Sequence, residues 1–198
     1  MLASGRQSTR LWIRGGYTPR LCAAKSAIRN LLGKIAAPPG ESNQREAYMR
    51  APGRRRFWLH MAVLDLYVEC LVRVRWLGRR GRCVLCDRYL DDTEIDFAIH
   101  FPDDHVNEWP SWRLLRRLAP KPDHAFLLDL SFQDSARRSL EKGEPFPEDD
   151  QRRRMRACYY DVAKQKIPWR LLDALRTVDQ LHCEVVSDLG YNVVRSGT

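Results

Sequence analysis

Two short apolar runs, each stopped by an aspartate, set the strongest constraint on how this chain folds. Cys83-Val84-Leu85-Cys86 ends at Asp87, and Ala125-Phe126-Leu127-Leu128 ends at Asp129 after Pro120-Lys121-Pro122-Asp123. Four unbroken apolar residues bounded by glycine or charge form the pattern of a strand buried on both faces, as in parallel sheets. Each run follows a long stretch of helical character. The pair therefore predicts right-handed crossover units and an α/β fold with three layers, a parallel sheet flanked by helices. Ligands of such sheets sit outside the carboxyl ends of the strands, which places Asp87, Arg88 and Tyr89 at a candidate site.

The remaining segments fit one domain over residues 1–198. Leu11-Trp12-Ile13 reads as a strand that runs into the loop Arg14-Gly15-Gly16-Tyr17-Thr18-Pro19, followed by a helix over Arg20 to Lys34. Residues 36–53, rich in proline and glycine, read as a flexible insertion. Phe57 to Leu77 has the apolar density of a buried helix, with Asp65, Glu69 and Arg73 four apart in one polar stripe and a favourable Glu-to-Arg pair. Arg152 to Lys164 and Thr177 to Leu189 are expected helices, Trp169 to Ala174 a strand, and 190–198 a tail.

Composition excludes several classes. With 44% hydrophobic residues over 198 positions the chain is not disordered, and a globule of this size needs neither metal nor disulfide to hold its core. Six cysteines spread mostly through apolar runs point to a reducing, cytoplasmic setting. The first ten residues lack an apolar signal region, and Asp65, Glu69, Arg73 and Arg75 interrupt the greasiest stretch, so a membrane helix is not expected.

Net charge is +9, and 28 of the 34 basic residues are arginine. Arginine's planar fork suits phosphate and carboxylate, although a compositional bias toward arginine would give the same excess. The clusters at Arg54 to Arg56, Arg79 to Arg82 and Arg152 to Arg156 are short, separated and without aromatic platforms, so nucleic acid is not the favoured partner.

Cys83 and Cys86 have no second pair at matching spacing and point apart on a strand, which argues against a zinc or redox site. A loop metal site at His100 and His105, around Pro102-Asp103-Asp104, is less favoured than a solvated acidic loop. Asp91, Asp92, Glu94 and Asp96 read as a wet face that balances nearby arginines. Asp87-Arg88-Tyr89 is different, because at a strand end the carboxylate can hold a hydrated Mg2+ while the guanidinium clamps a phosphate. A surface salt bridge is the alternative reading of that pair.

Gly81-Arg82-Cys83-Val84-Leu85-Cys86-Asp87-Arg88-Tyr89 resembles the strand and DRY motif of thymidylate kinases and their relatives among P-loop nucleoside monophosphate kinases. Pro122 to Leu130 is similar to that family's next core strand, and Ser135 to Lys142 to the helix leading into its arginine-bearing lid, a lid-like segment of 137–156 here. Order and spacing agree from about 11 to 189. The resemblance implies ATP-dependent phosphoryl transfer to a nucleoside monophosphate or another phosphorylated small molecule, with Mg2+ and ATP as cofactors. Asp87 (metal) and Arg138 would be catalytic, Arg14, Arg88 and Tyr89 would bind substrate, and Arg137 and Lys142 would assist from the lid. Residues 57–77 offer a homodimer face, as that helix does in thymidylate kinases.

Three departures accompany the match. No G-x-x-x-x-G-K-[ST] loop occurs in the sequence, and the family's first, central strand would lie before everything matched, leaving a slot in the sheet. The Arg14 loop lacks the family's Glu-Pro, and Asp65-Leu66 stands where Asp-Arg is usual. The expectation is a native protein that begins upstream with the loop intact. The alternative is a catalytically inactive remnant that binds a phospholigand or acts as an interaction protein.

Overall fold

A computed structural model describes residues 7–15, 18, 47, 49–142 and 149–190. The expected helix over Arg20 to Lys34, most of the 36–53 insertion, lid residues 143–148 and tail residues 191–198 lie outside the described residues. The chain divides into two compact units, one over Arg6–Pro120 and one built on the residues from Lys121 onward.

In the first unit, β1 (Ser8–Trp12) and β2 (Cys83–Asp87) pair in parallel, with Trp12 opposite Asp87. The chain between them includes α1 (Pro52–Tyr67), which continues through a π-helical segment, Val68–Val74, into α2 (Arg75–Arg79). Pro52 starts α1, where its missing N–H costs no helical bond. After β2 come α3 (Leu90–His100), 3-10 turns at Pro102–Asp104 and Val106–Glu108, and α4 (Pro110–Leu118). Leu11 and Ile13 of the β1 run point inward and join Leu59, Leu66, Leu90, Phe97, Trp112 and Leu115 in one core, while Trp12 between them is exposed. That alternation is the two-residue period of a strand covered on one face.

The second unit repeats the parallel pairing on a smaller scale, with β3 (Phe126–Asp129) beside β4 (Arg170–Asp173) and Asp129 opposite Asp173. Its helices are α5 (Phe132–Glu141), α6 (Asp150–Lys166) and α7 (Val178–Asp188). Each starts on a capping side chain: Ser131 accepts from the Asp134 N–H, Asp149 from that of Arg152, and Thr177 from that of Gln180. Gln180 returns a bond by accepting from the Thr177 N–H. No residue of these three helices is fully buried, and the apolar centre of the unit rests on Leu172 and Ala174.

The sheet, expected with a slot where a first, central strand is missing, forms among the described residues two separate two-stranded sheets, β1 with β2 and β3 with β4. Two expectations need correction. The runs expected to be buried on both faces are not: Leu85, Cys86 and Leu128 are exposed. With one strand neighbour each, β2 and β3 lack the lateral cover that an apolar run has in a wide parallel sheet. The helix expected to be buried has two characters. Leu59, Ala62, Val63, Leu66 and Cys70 are inside, as is the polar pair Asp65 and Glu69, whereas Phe57, Leu64, Val68, Val72 and Trp76 face outward. Residues spaced by four drift around an α-helix, whose turn holds 3.6 residues, and drift back in a wider π-turn. The π-helical segment thus keeps 64, 68, 72 and 76 on one face.

Candidate anion site at the strand ends

Arg14 and Arg88 each follow the last residues of a neighbouring strand. The Ile13 N–H donates to the Asp87 carbonyl at 3.1 Å, so the ladder extends by one bond and delivers both arginines at the same end of the sheet. Their guanidiniums converge on one carboxylate from α3: Arg14 Nε lies 3.1 Å and Arg88 NH1 3.4 Å from Asp96 Oδ2. The Asp96 side chain is only 9% exposed, so the attraction acts in a site largely shielded from water. Among the described residues, two guanidiniums thus share one carboxylate at the strand ends.

Backbone geometry fixes both arginines. Arg88 has φ +67°, in the left-handed region that costs a side-chain-bearing residue roughly 1–2 kcal/mol. Such strain is held where surrounding packing dictates it, typically at functional sites. Gly15, next to Arg14, is buried so tightly that a Cβ there would lie 3.0 Å from Thr93 Cγ2, 3.1 Å from Phe97 Cζ and 3.2 Å from Leu66 Cδ1. A side chain there would require Thr93, Phe97 and Leu66 to give way by a few tenths of an ångström, so glycine favours the close approach of the Arg14 loop to α1 and α3.

Asp87 stands beside this pair with its side chain 42% exposed, ion-paired through Oδ2 to Arg10 of β1. Tyr89 turns inward. Its hydroxyl donates to the Pro120 carbonyl at 2.7 Å and is hydrogen-bonded with the Cys70 thiol, while its backbone N–H donates to Asp92 Oδ2 at 3.3 Å. Burial pushes the Cys70 thiol up to about 12 and raises the Tyr89 hydroxyl. Both stay neutral at pH 7 and neither is a nucleophile there.

Two polar pairs place buried carboxylates on α1 and the π-helical segment. Thr18 Oγ1 donates to Asp65 Oδ1 at 2.5 Å, and Arg73 NH1 donates to Glu69 Oε2 at 3.0 Å, which realises the Glu-to-Arg pair of the polar stripe on its inner side.

Arg137, Arg138 and Lys142 belong to the second unit. Arg138 NH2 donates to the Ala174 carbonyl at 2.7 Å, whereas Arg137 is exposed and paired with Asp134 and Glu141, and Lys142 is exposed. At the end of β3, Lys164 Nζ meets Asp129 Oδ1 at 2.6 Å and Asp161 Oδ1 at 3.1 Å. Burial opposes the ammonium, but the two carboxylates outweigh it and raise its pKa.

The acidic run after Asp87 divides. Arg116 NH1 binds Asp91 at 2.8 Å and Glu94 at 2.9 Å near the surface, as a wet face would, but Asp96 is withdrawn among the arginines. The wet-face reading of Asp96 is corrected accordingly: it lies on the inner side of α3, among buried Thr93 and Phe97, where its partners are 8 and 82 positions away.

Parallel strand pairs with helical connections define the class of an α/β protein. The thymidylate kinase family pattern matches residues 75–185, more than half of the sequence. The chain belongs to the thymidylate kinase family, a family of ATP-dependent nucleotide kinases. It is similar to the probable thymidylate kinase of Pyrococcus abyssi, 30% identical over 111 residues that cover 54% of this chain and 52% of that protein. The counterpart from Pyrococcus horikoshii is 28% identical over 116 residues, 54% of this chain and 51% of that one. The chain thus spans about half the length of the curated relatives it matches. Its fold is similar to that of the deoxyadenosine kinase from M. mycoides solved with bound dATP, with TM-score 0.50, 18% identity, and coverage of 91% of this chain and 97% of that one.

Proposed function

We propose that this protein is the acceptor-binding body of a cytoplasmic nucleotide kinase, transferring a phosphoryl group from ATP to a nucleoside monophosphate or similar phosphorylated acceptor. The convergence of Arg14 and Arg88 at the carboxyl ends of adjacent strands carries this reading. Two guanidiniums held close together offer the bidentate, charge-assisted bonds that a phosphate dianion takes. The two units are read as parts of one kinase domain, supported by a fold likeness that extends over 91% of the chain. Arg137, Arg138 and Lys142 are assigned to the charge that develops on the transferring group, and Tyr89 to supporting Arg88 from behind.

Magnesium fits the residues present in a limited way. Among the described residues no three His, Cys, Asp or Glu side chains form a metal cluster, but Mg2+ needs only one or two carboxylates beside water and phosphate oxygens. Asp87, exposed at the strand end, is the carboxylate that would hold it, with Arg10 as its competitor. When bound, the ion neutralises phosphate charge. Transfer also requires a lysine-bearing glycine loop to cradle the donor phosphates, which these 198 residues do not contain. A phospholigand-binding protein without turnover is the second reading, because the convergence of Arg14 and Arg88 on Asp96 is compatible with anion binding in either case.

Calorimetry with dTMP, using thymidine as the uncharged comparison, tests the phosphate site. Binding of dTMP is expected to be at least about tenfold tighter than that of thymidine, because hydrogen bonds to charged groups are worth ~1.5–3 kcal/mol. Equal affinities would overturn the reading. Magnesium-dependent ADP release with dTMP then separates the kinase from the binding protein.

No helix of the described residues is long and apolar enough to cross a membrane. The outward apolar stripe from Phe57 to Trp76 is assigned to a second copy of this chain. Val72, 60% exposed at its middle, can accept a charge without disturbing the monomer's core. Val72→Glu is expected to weaken self-association about a hundredfold through the cost of burying an unpaired charge, read by light scattering after size exclusion. A wild-type chain that stays monomeric at high concentration would refute the dimer.

A further inference from the structure

We propose that Asp96 is a positioning residue: its buried carboxylate fixes the Arg14 and Arg88 guanidiniums as one fork and thereby sets the site's discrimination for a phosphomonoester. The inference rests on the proposed acceptor site and assigns it a part that neither arginine can perform alone.

Two guanidiniums at the end of a sheet repel each other and, left to themselves, would splay into solvent along flexible side chains. Asp96 prevents this from a rigid position. It sits within α3, 6% exposed, with its Oδ2 between Arg14 Nε at 3.1 Å and Arg88 NH1 at 3.4 Å. The arginine side chains remain 27% and 37% exposed, whereas the carboxylate between them is buried. Each guanidinium carries five N–H donors, and a bond to Asp96 uses only part of that set.

The backbone supports the same interpretation. Arg88 is held at φ +67° and Arg14 adjoins Gly15, which is wedged against Thr93 and Phe97 of α3, the helix that carries Asp96. The helix therefore fixes the carboxylate and the Arg14 loop together. Among the described residues, the charged groups nearest in the chain and on the paired strand are Asp87, next to Arg88, and Arg10, which pairs with Asp87; Asp65 accepts from Thr18.

Charge and geometry predict opposite results when Asp96 is neutralised. Asp96→Asn makes the site more positive by one unit, so attraction alone predicts tighter binding of any anion. Loss of positioning predicts weaker binding of a phosphomonoester in spite of the added charge. A purely structural role would lower the melting temperature without changing the ratio of dTMP to thymidine affinity.

The test measures dTMP and thymidine binding by calorimetry in wild type, Asp96→Asn and Asp96→Glu, with circular dichroism to establish folding. The expected result is a dTMP affinity about tenfold lower in Asp96→Asn, the size of one lost charge-assisted bond, with thymidine affinity unchanged and partial recovery in Asp96→Glu. Undiminished dTMP binding by folded Asp96→Asn overturns the proposal and leaves the acceptor-site reading intact. Failure of wild type to prefer dTMP over thymidine overturns both. Should Asp96→Asn not fold, Asp96→Glu decides: its longer side chain displaces the carboxylate, so a loss of about threefold or more in the dTMP preference supports positioning, and wild-type preference overturns it.

Discussion

Arg88→Ala is expected to weaken dTMP binding by roughly 10- to 100-fold, the range of a lost hydrogen bond between charged groups, while thymidine binding stays as it was. Both effects follow from the side chain's placement. Its guanidinium reaches the mouth of the site and is 37% exposed, so its removal strips charge from the anion position without opening the core. Stability separates from binding through the backbone. At φ +67° alanine inherits the strain of arginine, whereas glycine does not. Arg88→Gly should therefore lose dTMP to the same extent yet unfold with about 1–2 kcal/mol more stability than Arg88→Ala. Calorimetry and chemical denaturation of the two variants measure both quantities. Equal stability of the two would mean that no strain is held at this residue, and retained dTMP preference would remove Arg88 from the acceptor site.

Arg55→Met should have the largest effect on stability, lowering it by about 3 kcal/mol and the melting temperature by about 10 °C for a chain of this size. Asp104, in the 3-10 turn before the left-handed residue His105, has a side chain only 1% exposed. Arg55 Nε of α1 approaches its Oδ2 to 2.5 Å and Arg56 Nε its Oδ1 at 3.6 Å, but neither meets the carboxylate with the alignment of a hydrogen bond. The attraction is therefore chiefly that of opposite charges in a shielded place. Without Arg55 the buried carboxylate keeps only the largely exposed Arg56, and an uncompensated buried charge is the costly case. The double variant Arg55→Met with Asp104→Leu is expected to recover most of the loss, since it removes both charges. A single variant within about 0.5 kcal/mol of wild type, the ordinary range of surface substitutions, would show that the pair does not hold the turn to α1.

The elements were legible because their signals are local. Leu11 to Ile13, Cys83 to Cys86 and Ala125 to Leu128 fall on or at the ends of strands, and the helices read from Arg152 and Thr177 begin at Asp150 and Val178, whereas the helix read from Phe57 begins at Pro52, inside the segment read as a flexible insertion. The strand-end positions of Arg14, Asp87 and Arg88 follow from the same signals, since a strand ends where its apolar run meets charge. The Glu69 to Arg73 pair was readable as well, being one helical turn long.

What these side chains face was not legible in the same way. Asp96 looked like one of four surface carboxylates, and its burial depends on Arg14, 82 positions away. The polar stripe of Asp65, Glu69 and Arg73 was legible as a stripe but not as a buried one; Asp65 meets Thr18, 47 positions away. Leu85 and Leu128 looked buried because a run of apolar residues records hydrophobicity and not the number of neighbouring strands.

The sequence by itself determined the class of fold, the family, and the strand ends at which Arg14 and Arg88 stand, because turns, caps and strand ends are written within a few residues of where they act. The tertiary structure alone decided that one withdrawn carboxylate gathers those arginines, that Arg88 carries left-handed strain, and that the apolar stripe of α1 faces out. Burial, charge pairing and strain are properties of contacts between distant segments, and no local pattern contains them.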